Sequence, residues 1–129
     1  MEEKDTWERH FPAMIEDDIR AFSLSIGDHN PIHHDNEAAK AIGLSGIVAP
    51  GVRIIGFASS AIAEKLPGAM VRKLSIQFIK PLYAGISPTV LCTVLKKRAV
   101  SIVIGVSIKE TLGTTIAEGE CQAVILPEK

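Results

Sequence analysis

Nine consecutive positions of this chain, GDHNPIHHD from Gly27 to Asp35, hold two aspartates, an asparagine, a proline and three histidines. An imidazole and a carboxylate in one pocket can hold a water, take a proton from it and return a proton elsewhere on a substrate. Asp28 and His33 are the pair that could do this. On one continuous helix of about 3.6 residues per turn, their spacing would rotate them about 140° apart, too far to act on one atom. Gly27 can end a helix in the left-handed conformation, and Pro31 forbids its continuation, so the segment must form an irregular turn in which both side chains can converge. A second reading stays open on spacing alone. Asp, Asn and Pro are everyday turn residues, and the stretch can equally be a polar turn that terminates a helix. His29 and His34 read as exposed loop histidines. A metal site built from His29, His33, His34 and Asp35 lacks recognisable ligand spacing, because adjacent side chains such as those of His33 and His34 diverge. No metal and no cofactor is expected.

The elements that must position this turn are legible on either side of it. Ile15, Ile19, Phe22 and Ile26 recur at helical spacing and mark one face, with Ile26 expected to pack inward. Glu16, Asp17 and Asp18 fall in the first turn, where carboxylates complement the helix dipole. Asn30, preceding a proline, is pushed away from helical angles. A short second helix is predicted over Asn36 to Ile42, ending near Gly43. The third, PGVRIIGFASSAIAEKLPG, opens at Pro50, closes at Lys65 and is followed by Pro67 and Gly68, all boundary signals. Between Gly51 and Ala63 its only charge is Arg53. A helix apolar or small nearly all round is expected to be buried.

The remainder reads as strands. A strand-like opening covers Thr6 to Phe11. Leu74, Ile76 and Phe78 alternate with polar partners, as do Ile102, Ile104, Val106 and Ile108, and further strands fit Thr89 to Lys96 and Thr115 to Leu126. Several strands are apolar on both faces, so one face can cover the helix while the other, or an edge, meets a second subunit. The simplest architecture is α+β, an antiparallel sheet wrapped around one long helix.

At 129 residues the chain has the size of one domain, taken here as 1–129. Hydrophobic residues make up 47%, charged residues 22%, and the formal net charge is −1. That balance describes a soluble globular protein and argues against nucleic acid as a partner. The opening MEEKDTWERH resembles neither a secretory signal nor a transit peptide, and no apolar run approaches the roughly 20 residues needed to cross a bilayer. A cytoplasmic location without membrane attachment is the expectation. Cys92 and Cys121 lie in strand-like segments and read as reduced core cysteines rather than a disulfide.

FSLSIGDHNPIHHD, followed by Ala39, resembles the signature of the MaoC-like (R)-specific enoyl-CoA hydratases, in which an aromatic residue precedes Gly-Asp-x-Asn-Pro-hydrophobic-His. GIVAPGVRIIGFASSAIAEKLPG resembles that family's buried helix and LSIQFIKPLYAG its following strand, so the resemblance covers about Thr6 to Leu126. It implies a hot-dog fold, in agreement with the architecture above. It also implies reversible hydration of a trans-2-enoyl-CoA to an (R)-3-hydroxyacyl-CoA, with Asp28 and His33 as the catalytic pair. On the substrate side it implies Gly51, offering its N–H to the thioester carbonyl, Ser59 near the active site, and Asn30, supporting the loop. An acyl-CoA thioester and at least a homodimer are the implied partners.

Three positions depart from the family pattern. Ile26 stands where a small or hydroxyl residue is usual, Ala49-Pro50-Gly51 replaces the commoner His-Gly or Pro-Gly opening, and Ile86 follows PLYAG where an aspartate is common. Ser59 has a second reading, a hydroxyl bonded to the carbonyl one turn back in its own helix. Arg53 reads either as half of a salt bridge across a subunit interface or as a contact to a polar acyl group. Lys73, Lys80, Lys96, Lys97 and Arg98 can offer coenzyme A phosphates a positive rim. A hot-dog thioesterase and a non-catalytic acyl-CoA-binding subunit are the alternative functions.

Overall fold

The computed structural model describes residues 1–126. In chain order it forms β1 (Thr6–His10), α1 (Glu16–Ser25), a 3-10 turn (Pro31–His33), α2 (Asn36–Ala41), α3 (Gly51–Lys65), β2 (Ala69–Phe78), β3 (Pro88–Arg98), β4 (Ser101–Glu110) and β5 (Thr115–Ile125). The five strands make one antiparallel sheet in the order β1-β3-β4-β5-β2. Consecutive strands β3, β4 and β5 are joined by short turns, whereas β1 and β2 close the two sides of the sheet. This is the hot-dog arrangement, with α3 as the filling.

Alternation decides which side chains face the helix. Val90, Cys92 and Val94 of β3, Ile102, Ile104, Val106 and Ile108 of β4, and Cys121 and Ala123 of β5 are buried and share one core with α3. From α3 itself Ile54, Phe57, Ala58, Ala61 and Ile62 enter that core, the i, i+3, i+4, i+7, i+8 spacing of a single helical face. Burying Phe57 alone contributes about 1.5–3 kcal/mol. Register irregularities between Val71 and Lys73, Val94 and Lys96, and Ile108 and Lys109 bend the strands around the helix. The curl of β2 over β5 is tightest at Gly119, where an added Cβ would run into the Ser75 carbonyl.

Two sequence expectations about the helices need correction. Ile15 and Ile26 do not continue the inward face of Ile19: they are 59% and 44% exposed. They are the capping residues of α1 and have left helical angles, so the helical spacing that would turn them inward does not extend to them. Nor is α3 buried all round. Val52 is 57% exposed, and Ser59 and Ala63 are exposed too, because one curved sheet covers only one side of a helix.

Contacts from β1 lock the helix to the sheet edge. The Trp7 indole N–H donates to the Ala61 carbonyl at 3.0 Å, and Arg9 pairs with Glu64. Cys92 and Cys121 are buried, free thiols. No helix among the described residues is long and apolar enough to cross a membrane.

Candidate active site

The end of α1 delivers Asp28. Gly27 adopts φ +74°, and two backbone bonds close the helix, Gly27 N–H to Leu24 O at 3.1 Å and Asp28 N–H to Ser23 O at 2.8 Å. This pairing is a Schellman closure, which needs a residue without a Cβ penalty at the left-handed position. The turn then builds itself from side chains. Asp28 Oδ1 accepts the Asn30 N–H at 3.0 Å, and Asn30 Oδ1 accepts the Ile32 N–H at 3.3 Å, capping the 3-10 turn that Pro31 begins. Asn30 is thus a loop support: its side-chain oxygen is engaged by its own turn.

That 3-10 turn carries His33 inward, where it is 6% exposed. Its Nδ1 lies 2.7 Å from the Val48 carbonyl. A carbonyl can only accept, so Nδ1 carries the hydrogen and Nε2 is left as the nitrogen that gains or loses a proton. Nε2 stands 3.4 Å from Asp28 Oδ2, so the turn brings the carboxylate and the imidazole together. The polar-turn reading and the catalytic reading are compatible, since the turn bonds use Oδ1 and leave Oδ2 to His33.

The second strap of the site is 47–50, which runs beside the pair into α3. Pro50 is the N-cap and Gly51 the first residue of α3. A cavity of about 410 Å³ opens here, lined by His33, Val48, Gly51, Ile54, Phe78 and Leu82 among others, with Lys80 at its side. Its walls are largely apolar, and the α3 N-terminus supplies free N–H groups and the positive end of a helix dipole. Gly51 does not leave an empty space beside its Cα. A Cβ there would lie 2.9 Å from Phe78 Cζ, so the ring of Phe78 occupies the place a side chain would take.

Ser59 is not brought to this cavity. It lies eight residues beyond Gly51, about 12 Å along the helix, and is exposed. Arg53 lies in the first turn of α3. Its guanidinium stacks 4.4 Å from the Phe57 ring centroid and 5.5 Å from that of Phe22, tying α1 to α3. Of the residues weighed as metal ligands, Asp35 caps α2 through the Glu37 N–H, and His29 is exposed. His34 is no loose loop histidine: it is part-buried, with Nε2 2.9 Å from the Asp28 carbonyl. Sequence reasoning read His34 as exposed and gave Val48 and Phe78 no place at the cavity. Only Phe78 left a signal, an aromatic at the end of a strand in the family-like segment.

A larger hollow, about 760 Å³, lies on the outer face of the sheet between Lys73, Leu91, Leu95, Glu118 and Glu120. No histidine lines it, and its carboxylates are exposed.

Comparison with known proteins places these features in context. Residues 3–115 match the family described as MaoC like domain. The solved structure of the unliganded (R)-hydratase PhaJ1 from Pseudomonas aeruginosa superposes with a TM-score of 0.89 at 25% identity, covering 100% of this chain and 84% of that one. The mitochondrial 3-hydroxyacyl-[acyl-carrier-protein] dehydratase FERN of Solanum lycopersicum is 32% identical over 73 residues, 57% of this chain and 44% of that protein. The chain therefore spans less than half the length of that relative. A UPF0336 protein of Parafrankia sp. is 32% identical over 119 residues, 82% of this chain and 79% of its own.

Proposed function

This chain belongs to the MaoC-like domain family, and from that membership we propose that it is a hydro-lyase, an (R)-specific enoyl-CoA hydratase that reversibly adds water to a trans-2-enoyl thioester. The observation that carries the reading is His33, which lines a largely apolar cavity, with its Nε2 held 3.4 Å from Asp28 Oδ2.

In the forward direction a water held between Oδ2 and Nε2 loses a proton to the pair as its oxygen bonds to carbon three. The electron pair of the double bond moves towards the thioester oxygen. Carbon two then receives a proton from the pair, so the atoms of one water are added and the enzyme returns to its starting charge. His33 suits proton exchange because its Nδ1 is fixed on Val48 while Nε2 is free to cycle. The charge that develops on the thioester oxygen is met by the N–H of Gly51 at the start of α3, reinforced by the helix dipole. Catalysis by a positioned acid and base is worth about 10²–10⁴-fold, and an oriented oxyanion donor about 10²–10³-fold.

A homodimer belongs to the same proposal. The uncovered side of α3, with Val52 57% exposed, and the open edges of β1 and β2 supply apolar surface and unpaired backbone for a second copy. Sedimentation at micromolar concentration is expected to give twice the chain mass, and a monomer would contradict it.

Crotonyl-CoA, longer trans-2-enoyl-CoAs and the matching acyl-carrier-protein thioesters form the test panel. The expected result is loss of the enone absorbance with no free thiol and an (R)-3-hydroxy product on chiral analysis. Release of thiol would instead identify a thioesterase, and binding without turnover across the panel a non-catalytic subunit.

A further inference from the structure

We propose that His34 is a positioning residue for the Asp28–His33 pair, fixing the Asp28 backbone so that only one carboxylate oxygen is left to work; the proposal deepens the hydro-lyase reading and rests on it.

The polar groups of Asp28 are engaged one by one. Its N–H donates to the Ser23 carbonyl at 2.8 Å, and its Oδ1 accepts the Asn30 N–H at 3.0 Å. Its own carbonyl lies 2.9 Å from His34 Nε2. What remains is Oδ2, 3.4 Å from His33 Nε2. Without the His34 bond, the peptide joining Asp28 to His29 can rotate, because both residues lie in an irregular turn and Pro31 blocks any helical alternative. Rotation of that peptide shifts the Asn30 N–H away from Oδ1, so the bond that orients the carboxylate is lost.

His34 is well suited to hold a carbonyl. Being an acceptor only, the Asp28 oxygen requires a hydrogen on Nε2, and Nε2 carries one in both the neutral ring so oriented and the imidazolium. The bond therefore holds in either form of the ring. The ring in turn hangs from a fixed backbone: His34 N–H donates to Pro31 O at 3.0 Å, and His34 O accepts the Arg20 Nε–H at 2.8 Å.

From Arg20 the same chain of bonds reaches the other member of the pair. Arg20 binds Glu16 at 3.2 Å, Glu16 accepts from Asn36 Nδ2 at 2.7 Å, and Asn36 Oδ1 accepts the Ile47 N–H at 3.0 Å. Ile47 precedes Val48, whose carbonyl holds His33. One network thus sets Asp28 from one side and His33 from the other, and His34 is its link to the Asp28 backbone.

A misplacement of about 1 Å costs on the order of 10²-fold in rate, so His34→Leu is expected to lower kcat by about that factor while KM changes little. His34→Gln, whose amide nitrogen reaches as far as Nε2, is expected to recover most of the loss. Circular dichroism and thermal melting establish that both variants are folded. The carboxyl carbon shift of Asp28 and the ring nitrogen shifts of His33, followed through a pH titration by NMR, are expected to change in His34→Leu and to revert in His34→Gln. Wild-type kcat in His34→Leu, or a folded His34→Gln no better than His34→Leu, would overturn the proposal. Should the wild-type protein hydrate none of the thioesters, the hydro-lyase reading fails by itself. The NMR arm then decides the positioning: unchanged titrations in His34→Leu refute it, and altered ones that revert in His34→Gln support it.

Discussion

The Val48 carbonyl holds His33 by Nδ1 at 2.7 Å, and that single bond turns the opposite ring nitrogen towards Asp28. It also separates two things a histidine can do here, support the fold and exchange a proton. Asparagine places an amide nitrogen near the position of Nδ1 but has nothing at Nε2. His33→Asn is therefore expected to keep the Val48 bond, and with it a urea midpoint close to wild type, while turnover falls by about 10²–10⁴-fold. His33→Ala loses the same activity and also about 1–3 kcal/mol, because the Val48 carbonyl is left buried without its donor. Equal stability of the two variants would show that the bond to Val48 contributes nothing.

Asp28→Asn tests the partner. The amide oxygen can still accept the Asn30 N–H that Oδ1 accepts at 3.0 Å, so the turn is retained. The charge facing His33 is lost. Turnover is expected to fall by about 10²–10⁴-fold with an unchanged thermal midpoint. An active, folded Asp28→Asn protein would remove Asp28 from the chemistry.

These expectations rest on a turn whose break is legible in the sequence, and the reason is local. Gly27 and Pro31 act on their own backbone angles, so the break in the chain follows from residue types alone, whereas spacing leaves the meeting of Asp28 with His33 open and the family resemblance implies it. The α3 boundaries and the strand alternation were legible for the same reason. What could not be read involves partners that leave no mark in a sequence. Val48 acts through a carbonyl every residue possesses, and His34 finds another such carbonyl at Asp28. The inward turn expected of Ile26 failed because a helical stripe says nothing about where the helix stops. The all-round burial expected of α3 failed because apolar composition does not say whether the cover comes from the same chain. Ser59 fell away from the cavity because eight helical positions carry a side chain about 12 Å along the axis.

Gly51 and Phe78 make a fitted pair whose coupling can be measured. Gly51→Ala puts a Cβ 2.9 Å from Phe78 Cζ, the far end of a side chain that is 49% exposed and can swing aside, so the substitution is expected to cost no more than about 1 kcal/mol. In a Phe78→Ala background the clash is absent, so the same substitution is expected to be neutral or stabilising by up to about 1 kcal/mol. A double-mutant cycle in urea supplies the number. Additive effects would mean that the ring gives way freely.

The two cysteines carry a prediction about alkaline stability. Burial, reinforced by the neighbouring Cys121 sulfur, pushes the Cys92 thiol up from 9.0 to about 12, and burial raises Cys121 in the same direction. Both are therefore neutral, shielded thiols in the folded protein, and a thiol reagent at pH 8 is expected to label them only after denaturation. The sign of the pH effect follows from linkage. Below about pH 9 folded and unfolded chains both keep the Cys92 proton, and the stabilisation from holding it is complete. Between about 9 and about 12 the unfolded chain releases the proton while the folded one retains it, so stability declines as pH rises through that window. Cys92→Ala isolates the contribution of the thiol. The wild-type urea midpoint is expected to drop more between pH 8.5 and 10.5 than that of Cys92→Ala, although the variant starts lower by its core cavity; parallel declines would assign the slope to other groups.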